Sequence, residues 1–252
     1  MSEEIKVKSL RKALSILECF TIKAPEQGIT EISEKLGLNK SNVHNIISTF
    51  EHCGYVERNP ATARYRLGSR ILELAYVLNA GLGLQQVVRP FINALAQQVG
   101  EVVYFGIPKD GRVLYMDGGY PDNALTVRSM MGEKAEMYCT AIGKAMLAFL
   151  PGEEMAPALN RQSMLPFTPA TLTSRAALLE DLAACRARGY SVDNMEHEFG
   201  IRCVGVPVFN RNGALIGAVS VSGPSPRLEQ DKVEAYAGLL KECAQNISQR
   251  LP

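Results

Sequence analysis

The sequence predicts an α+β chain of two domains: a small N-terminal helical unit closed by a β-hairpin, a linker helix, and a larger α/β unit on a mostly antiparallel sheet. Three observations predict it. Apolar residues recur at helical spacing through residues 29–57, the pattern changes to alternation in EVVYFGIP and RVLYMDGG beyond Gly100, and a helical stripe lies between. A length of 252 residues with 46% hydrophobic content is enough for two cores.

Residues 29–57, ITEISEKLGLNKSNVHNIISTFEHCGYVE, read as a helix, a tight turn through Gly37, and a second helix. Thr30 is expected to cap the first helix, Gly37 to take the left-handed backbone of the turn, and Asn39 to cap the second helix. Val43, Ile46, Ile47 and Phe50 form one apolar stripe, expected to bury against the first helix and against Leu14 and Leu17. Lys40, Ser41, Asn42, His44, Asn45 and Ser48 are then left outward, as short hydrogen-bonding side chains suited to base edges and phosphates. After Gly54, YVERNPATARYRLG gives two strands around Asn59 and Pro60, with Arg64 and Arg66 on the second. A polar helix face alone is the default for any solvated helix. A glycine-centred turn and a basic hairpin are not needed for solvation, and together they spell a winged helix-turn-helix that takes double-stranded DNA. Lys40, Arg64 and Arg66 are the expected phosphate contacts, and Ser41, Asn42 and Asn45 the expected sequence readers.

Residues 69–80, SRILELAYVLNA, form the linker helix, with Ile71, Leu72, Ala75 and Leu78 on one side, Ser69 as a possible cap, and Gly81 and Gly83 as interruptions. A further helix, with Pro90 in its first turn, is expected to end at Gly100. Strands are expected in EVVYFGIP and RVLYMDGG across a Lys109–Asp110–Gly111 turn, then at ALTVRS, YSVDN, RCVGVPVFN and ALIGAVSVS. Helices are expected at Gly143–Leu150, Arg175–Arg188 and Leu228–Arg250. The expected domains are residues 1–68, the linker 69–83, and 84–252.

Composition narrows the function. A net charge of +1 excludes a uniformly basic nucleic-acid coat, and within residues 1–68 six Lys and four Arg against eight Glu leave only +2. DNA affinity must therefore come from placement, multiplied by dimerisation. The cysteines form no C-x-x-C pair and no secretion signal precedes them, so a cytoplasmic protein with reduced thiols is expected. The scattered histidines give no metal-ligand spacing, and neither Leu74–Val88 nor Asn212–Pro226 is long enough for a membrane span. No metal, cofactor or membrane partner is expected.

Along essentially the whole chain the residues resemble the IclR family of bacterial transcription regulators. LGLNKSNVHNIISTFEHCGYV followed by YRLG, then CTAIGKAMLA, GYSVDNMEHEFGIRCVGVPVF and VSVSGPSPRL stand as that family's successive motifs. The resemblance implies a C-terminal GAF-like effector-binding domain and homodimers or homotetramers on operator DNA. It also implies a non-enzymatic regulator, expected to be a repressor of a catabolic operon with a small organic acid as effector.

By the same resemblance Asp193, Ile201, Cys203, Ser220 and Ser222 line an effector pocket, with Ala141 and Ile142 at the entry of a helix. Their chemistry is coherent. Helix N-terminal N–H groups favour a carboxylate, Ser220 and Ser222 share one strand face, and Asp193 accepts from a ligand hydroxyl. Ala124, Val127 and Ala135 would supply an apolar wall. Individually, strand serines are usually locally bonded, such an aspartate is usually a turn former, and a lone cysteine is usually filler. The Gly143–Lys144 pair is no phosphate loop, since Tyr138 and Ala145 stand where that motif needs Gly and Ser or Thr. Glu196, His197 and Glu198 cannot all face one centre and read as mainly structural.

Two departures from the family pattern matter. Asn42 and Asn45 stand where recognition helices often carry Thr and then Arg, and Asn favours adenine. Ile142 is bulkier than the Gly or Ala common at the helix entry. Two other readings are an enzyme using Cys139 or Cys203 with His197 as base, which lacks a nucleophile elbow, and a domain that only dimerises.

Overall fold

The computed structural model describes residues 5–122 and 129–251, with the backbone alone for residues 79–82. The chain divides at Leu82 and Gly83 into two compact units.

The first unit holds α1 (Lys8–Leu17), α2 (Ile29–Leu36), α3 (Lys40–His52), the wing strands β1 (Val56–Arg58) and β2 (Tyr65–Leu67), and α4 (Arg70–Leu82). Ile16, Ile32, Val43, Ile47, Val56 and Tyr65 form its core. The α3 stripe is therefore inward, with Val43 and Ile47 fully buried and Ile46 and Phe50 at its margin. Leu14 is not part of that core. Helix α1 turns Ile16 inward and leaves Leu14 exposed, while Leu17 packs at the edge. Thr30 is not the cap of α2 either, because Gly28 holds the extended cap position and the Glu31 carboxylate accepts its N–H at 3.0 Å. Gly37 is left-handed at φ 64°, as the turn requires. Asn39 sits at the cap of α3, but its carbonyl rather than its side chain takes the helix N–H groups.

Helix α4 continues through Gly81, where a break was expected. One helical glycine costs only about 1 kcal/mol, and the chain turns instead at left-handed Gly83. Helix α5 (Leu84–Val99) starts at once, so Pro90 lies inside the helix and not in its first turn. It removes one ladder donor without ending the helix.

The second unit adds β3 (Val102–Lys109), β4 (Arg112–Gly119), β5 (Lys134–Glu136), α6 (Ala141–Phe149), α7 (Gly152–Asn160), α8 (Arg175–Arg188), β6 (Ser191–Asn194), β7 (Ile201–Phe209), β8 (Leu215–Pro224) and α9 (Gln230–Ser248). The sheet order is β5-β4-β3-β8-β7-β6, and the described pairs are antiparallel. The β3–β4 turn has positive φ at Asp110 and Gly111, which matches the twist of a hairpin. The strand expected at ALTVRS, with Ala124 and Val127, falls outside the described residues as far as Arg128. Strand β5 and helix α7 were not foreseen. The first has three residues, and Gly152 and Pro157 obscure the helical pattern of the second.

One sheet face carries Val103, Phe105, Val204, Val206, Val219 and Val221 against α5 and α9. On the other, Val113, Tyr115 and Ala218 meet α6 and α8. Two glycines permit the close seating of α6. A Cβ at Gly205 would lie 2.7 Å from the Ala141 carbonyl carbon, and one at Gly143 would lie 2.3 Å from the Met137 Cα. The Ser191 hydroxyl donates to the Ala141 carbonyl at 2.6 Å and fixes the start of α6 over β6 and β7.

Candidate nucleic-acid interface and effector site

On α3 the side chains of Lys40, Ser41, Asn42, His44, Asn45 and Ser48 are all exposed. They stand on one helix opposite the buried Val43 and Ile47. The wing arginines differ from each other. Arg66 is exposed and pairs loosely with Glu57 at 3.3 Å, an interaction of little strength in water. Arg64 instead donates to Glu31 at 2.6 Å and to the Glu26 carbonyl at 3.0 Å. Asn59 and Thr62 also reach the Glu26 carboxylate, so the wing tip is braced against the segment before α2. Arg64 is thus a brace in the free protein, and the phosphate role expected for it requires release from Glu31. Arg58, exposed at the end of β1, has no ion-pair partner among the described residues and was missed in the sequence because its strand is so short. A cavity of about 550 Å³ beside the brace is lined by Lys23, Lys35 and Arg64 but also by Glu26 and Glu31, so its charge is nearly balanced.

Arg66→Ala is expected to weaken all duplexes alike and to lower the salt slope of binding by about 1. Arg64→Ala is expected chiefly to lower the unfolding temperature of the first unit. Salt-dependent binding and thermal melting of both variants check this.

In the second unit the strand register brings the polar candidates together. Asp193 pairs with Cys203, Cys203 with Ser222, and Ser220 with Tyr104, which places these side chains on the sheet face covered by α6. Ile201 begins the same stretch of β7 on that face. Above them Ala141 and Ile142 open α6. Thr140 caps this helix by accepting the Gly143 N–H at 3.2 Å, and the N–H groups of Ala141 and Ile142 have no partner among the described residues. Ala135 packs in the same apolar cluster as Ile142, yet its strand β5 is at the opposite sheet edge from β6.

Asp193 is 3% exposed. One of its oxygens accepts the Glu196 N–H at 2.7 Å and the His197 N–H at 3.4 Å. Burial pushes its pKa up to about 7, and neighbouring Glu196 adds to the rise while the two N–H bonds and Lys144 oppose it. The Cys203 thiol donates to the Ser222 hydroxyl oxygen at 3.2 Å, which leaves the serine proton free to donate. Ser220 is buried, and its hydroxyl has no bonded partner among the described residues. Tyr115 and Cys139, both buried, feel the Asp193 charge and belong to the same centre. They were missed, although alternation along β4 and the position just before α6 could have pointed to them.

The site does not favour nucleophilic chemistry. Burial pushes the Cys139 and Cys203 thiols up, away from the reactive thiolate. His197 is driven toward the neutral form by burial and its ring lies 5.4 Å from that of Phe167. Glu198 is exposed, and Glu196 turns inward to Lys144 at 2.6 Å. Among the described residues no group of metal-ligating side chains comes together, and no helix is long and apolar enough to cross a membrane.

Comparison with known proteins identifies both domains. Residues 9–60 match the IclR helix-turn-helix domain, and residues 77–249 match the C-terminal domain of bacterial transcriptional regulators of the IclR type. The chain is 32% identical to the transcriptional regulator XynR of Escherichia coli K12, with 97% of each chain covered. It is 28% identical to the transcriptional repressor IclR of the same organism, over 96% of this chain and 89% of that one. An IclR homologue from Microbacterium hydrocarbonoxydans, solved in complex with 4-hydroxybenzoate, shares the fold at a TM-score of 0.83 and 24% identity, over 96% of this chain and 98% of that one. With both domain models matched in order, the chain belongs to the IclR family of DNA-binding transcriptional regulators and is not an enzyme.

Proposed function

We propose that this regulator is a cytoplasmic, homodimeric repressor of a catabolic operon, released from or fastened to its operator by a small organic acid held in the second unit. The observation that carries the effector half is the pairing of two unclaimed N–H groups at the start of α6 with a buried, acceptor-rich strand face. The N–H groups suit a carboxylate, and Asp193, Ser220 and Ser222 suit hydroxyl or carbonyl groups beyond it. The relative solved with 4-hydroxybenzoate supports an organic acid as the ligand class. Ile142 limits the room at the carboxylate end.

Dimerisation is supported by apolar side chains left in water within the first unit. Leu10 and Leu14 on α1, and Leu72, Tyr76 and Val77 on α4, are all exposed, with Tyr76 at 75%. Covering these side chains with a second copy would set two α3 helices for a two-fold symmetric operator. The effector must then bind the two dimer geometries unequally, because equal affinity would shift nothing.

The test is selection of bound sequences from random duplex DNA, with and without pyruvate, gluconate or 4-hydroxybenzoate. A palindromic consensus altered by one acid supports the reading. Within that consensus Asn45→Ala is expected to lose about 1–3 kcal/mol of base discrimination at one position in each half-site. Equal losses on specific and random DNA would remove Asn45 from the set of readers.

A further inference from the structure

Lys144 is completely buried one turn into α6, a place where a lysine needs a reason. Its ammonium meets Glu196 at 2.6 Å and Asp181 of α8 at 2.8 Å. Arg188 stands 3.7 Å from the same Asp181, so the second carboxylate has an outside partner and is partly in water. Glu196 is different. It is 5% exposed, one carboxylate oxygen takes Lys144 and the Asn194 N–H, and the other is buried with no hydrogen-bond partner among the described residues. Leaving that oxygen unsatisfied has a free-energy cost, so the geometry at Glu196 is held by something else.

The turn that carries it supplies the answer. Met195 is left-handed at φ 61°, an uncommon state for a residue with a side chain. Thr168 donates to the Met195 carbonyl and Thr171 to the Glu196 carbonyl, each at 2.6 Å, and the Glu196 N–H donates to Asp193. The strained turn therefore presents Asp193, and the Glu196 side chain ties the turn to α6. The same helix begins with Ala141 and Ile142.

We propose that Lys144 and Glu196 are positioning residues of the effector site: their ion pair fastens the start of α6 to the Asp193 turn, and neither side chain touches the effector. This rests on the effector reading above for its purpose, but its test needs no effector. Asp193 faces Glu196 on its own turn, Lys144 on α6, Cys139 before α6, Tyr115 on β4 and Cys203 on β7. Its titration thus reports whether the turn remains closed.

The experiment is urea unfolding of the full-length chain from about pH 4 to pH 9, comparing Asp193 with Asp193→Asn in the native, Glu196→Gln and Asp181→Asn backgrounds. Both background changes neutralise one carboxylate of Lys144. Only Glu196 carries the turn. The expected result is that Asp181→Asn leaves the pH midpoint of the Asp193-dependent stability difference unchanged, while Glu196→Gln lowers it by about one pH unit or more. Glu196→Asp decides the matter, because Glu196→Gln also removes a charge that itself raises the Asp193 pKa, whereas Glu196→Asp keeps the charge and only shortens the reach; it should lower the midpoint too. If Glu196→Asp and Asp181→Asn leave the midpoint alike, moved or unmoved, the proposal is overturned. A native protein that responds to no acid would sink the effector reading while leaving this result intact.

Discussion

Asp193→Asn is expected to be more stable than the native protein at pH 8, by roughly 4 kcal/mol, and to lose most of that advantage by pH 4. The cause is the buried carboxyl, whose pKa is pushed from 3.8 up to about 7 mainly by desolvation. A carboxyl with a raised native pKa holds its proton longer when folded than when unfolded. Stability from this group is therefore fully present below the unfolded value and lost as pH rises toward 7. Asn keeps an oxygen for the Glu196 N–H and has nothing to ionise, so the difference between the two proteins isolates this one group. Urea midpoints across pH measure it. A constant difference would mean that Asp193 ionises normally inside the fold.

The same titration bears on function. A carboxylate effector at the start of α6 enters a centre whose buried cation, Lys144, is already claimed by two carboxylates. Protonated Asp193 lowers the repulsion and becomes a donor. Operator response to an anionic acid is accordingly expected to strengthen as pH falls through about 7, whereas a free lysine, cationic throughout this range, would give no such dependence. Asp193→Ala, which removes the hydrogen-bonding group altogether, should abolish the effector response while operator binding survives.

Gly143→Ala should unfold or severely loosen the second unit, costing about 3 kcal/mol or more. The new Cβ would stand 2.3 Å from the Met137 Cα, 2.4 Å from its carbonyl oxygen and 2.6 Å from the Thr140 hydroxyl. Backbone atoms cannot swing aside as a side-chain tip can. The gain in helix propensity, about 1 kcal/mol, does not offset this. Gly238→Ala in α9 is the natural contrast, because a Cβ there meets nothing within 4 Å. It should stabilise by up to about 1 kcal/mol. Thermal melts of the two variants, expected to move in opposite directions, decide the matter. Similar melts would show that α6 is not seated as tightly as the geometry requires.

Local chemistry explains which parts were legible in the sequence. The α3 stripe, the Gly37 turn, the β3–β4 hairpin and helix α8 could be read because one periodicity or one turn residue decides each. Leu14 was misplaced since α1 carries apolar residues on two sides, and only packing selects Ile16. Gly81 behaved as an interior residue because one helical glycine costs only about 1 kcal/mol, and Pro90 because Val88, Ile92 and Leu95 anchor α5 in the core. At the candidate site, the strand pairing of Asp193, Cys203, Ser220 and Ser222 follows from alternation once register is known. Lys144 could not have been assigned that way. Its partners are 37 and 52 positions away on other elements, and no local pattern announces a buried ion pair. Arg64 likewise looks like any wing arginine until Glu31 is found beside it.

The central claim is that an acid in the second unit changes how the first unit holds DNA. Its most direct measurement is operator affinity of the full-length protein, using the duplex selected from random DNA, titrated with each acid of the panel at pH 6 and pH 8. A change in affinity with one acid, larger at pH 6 and absent in Asp193→Ala, is the predicted result. Affinity that no acid alters at either pH, or that changes equally in Asp193→Ala, would contradict it.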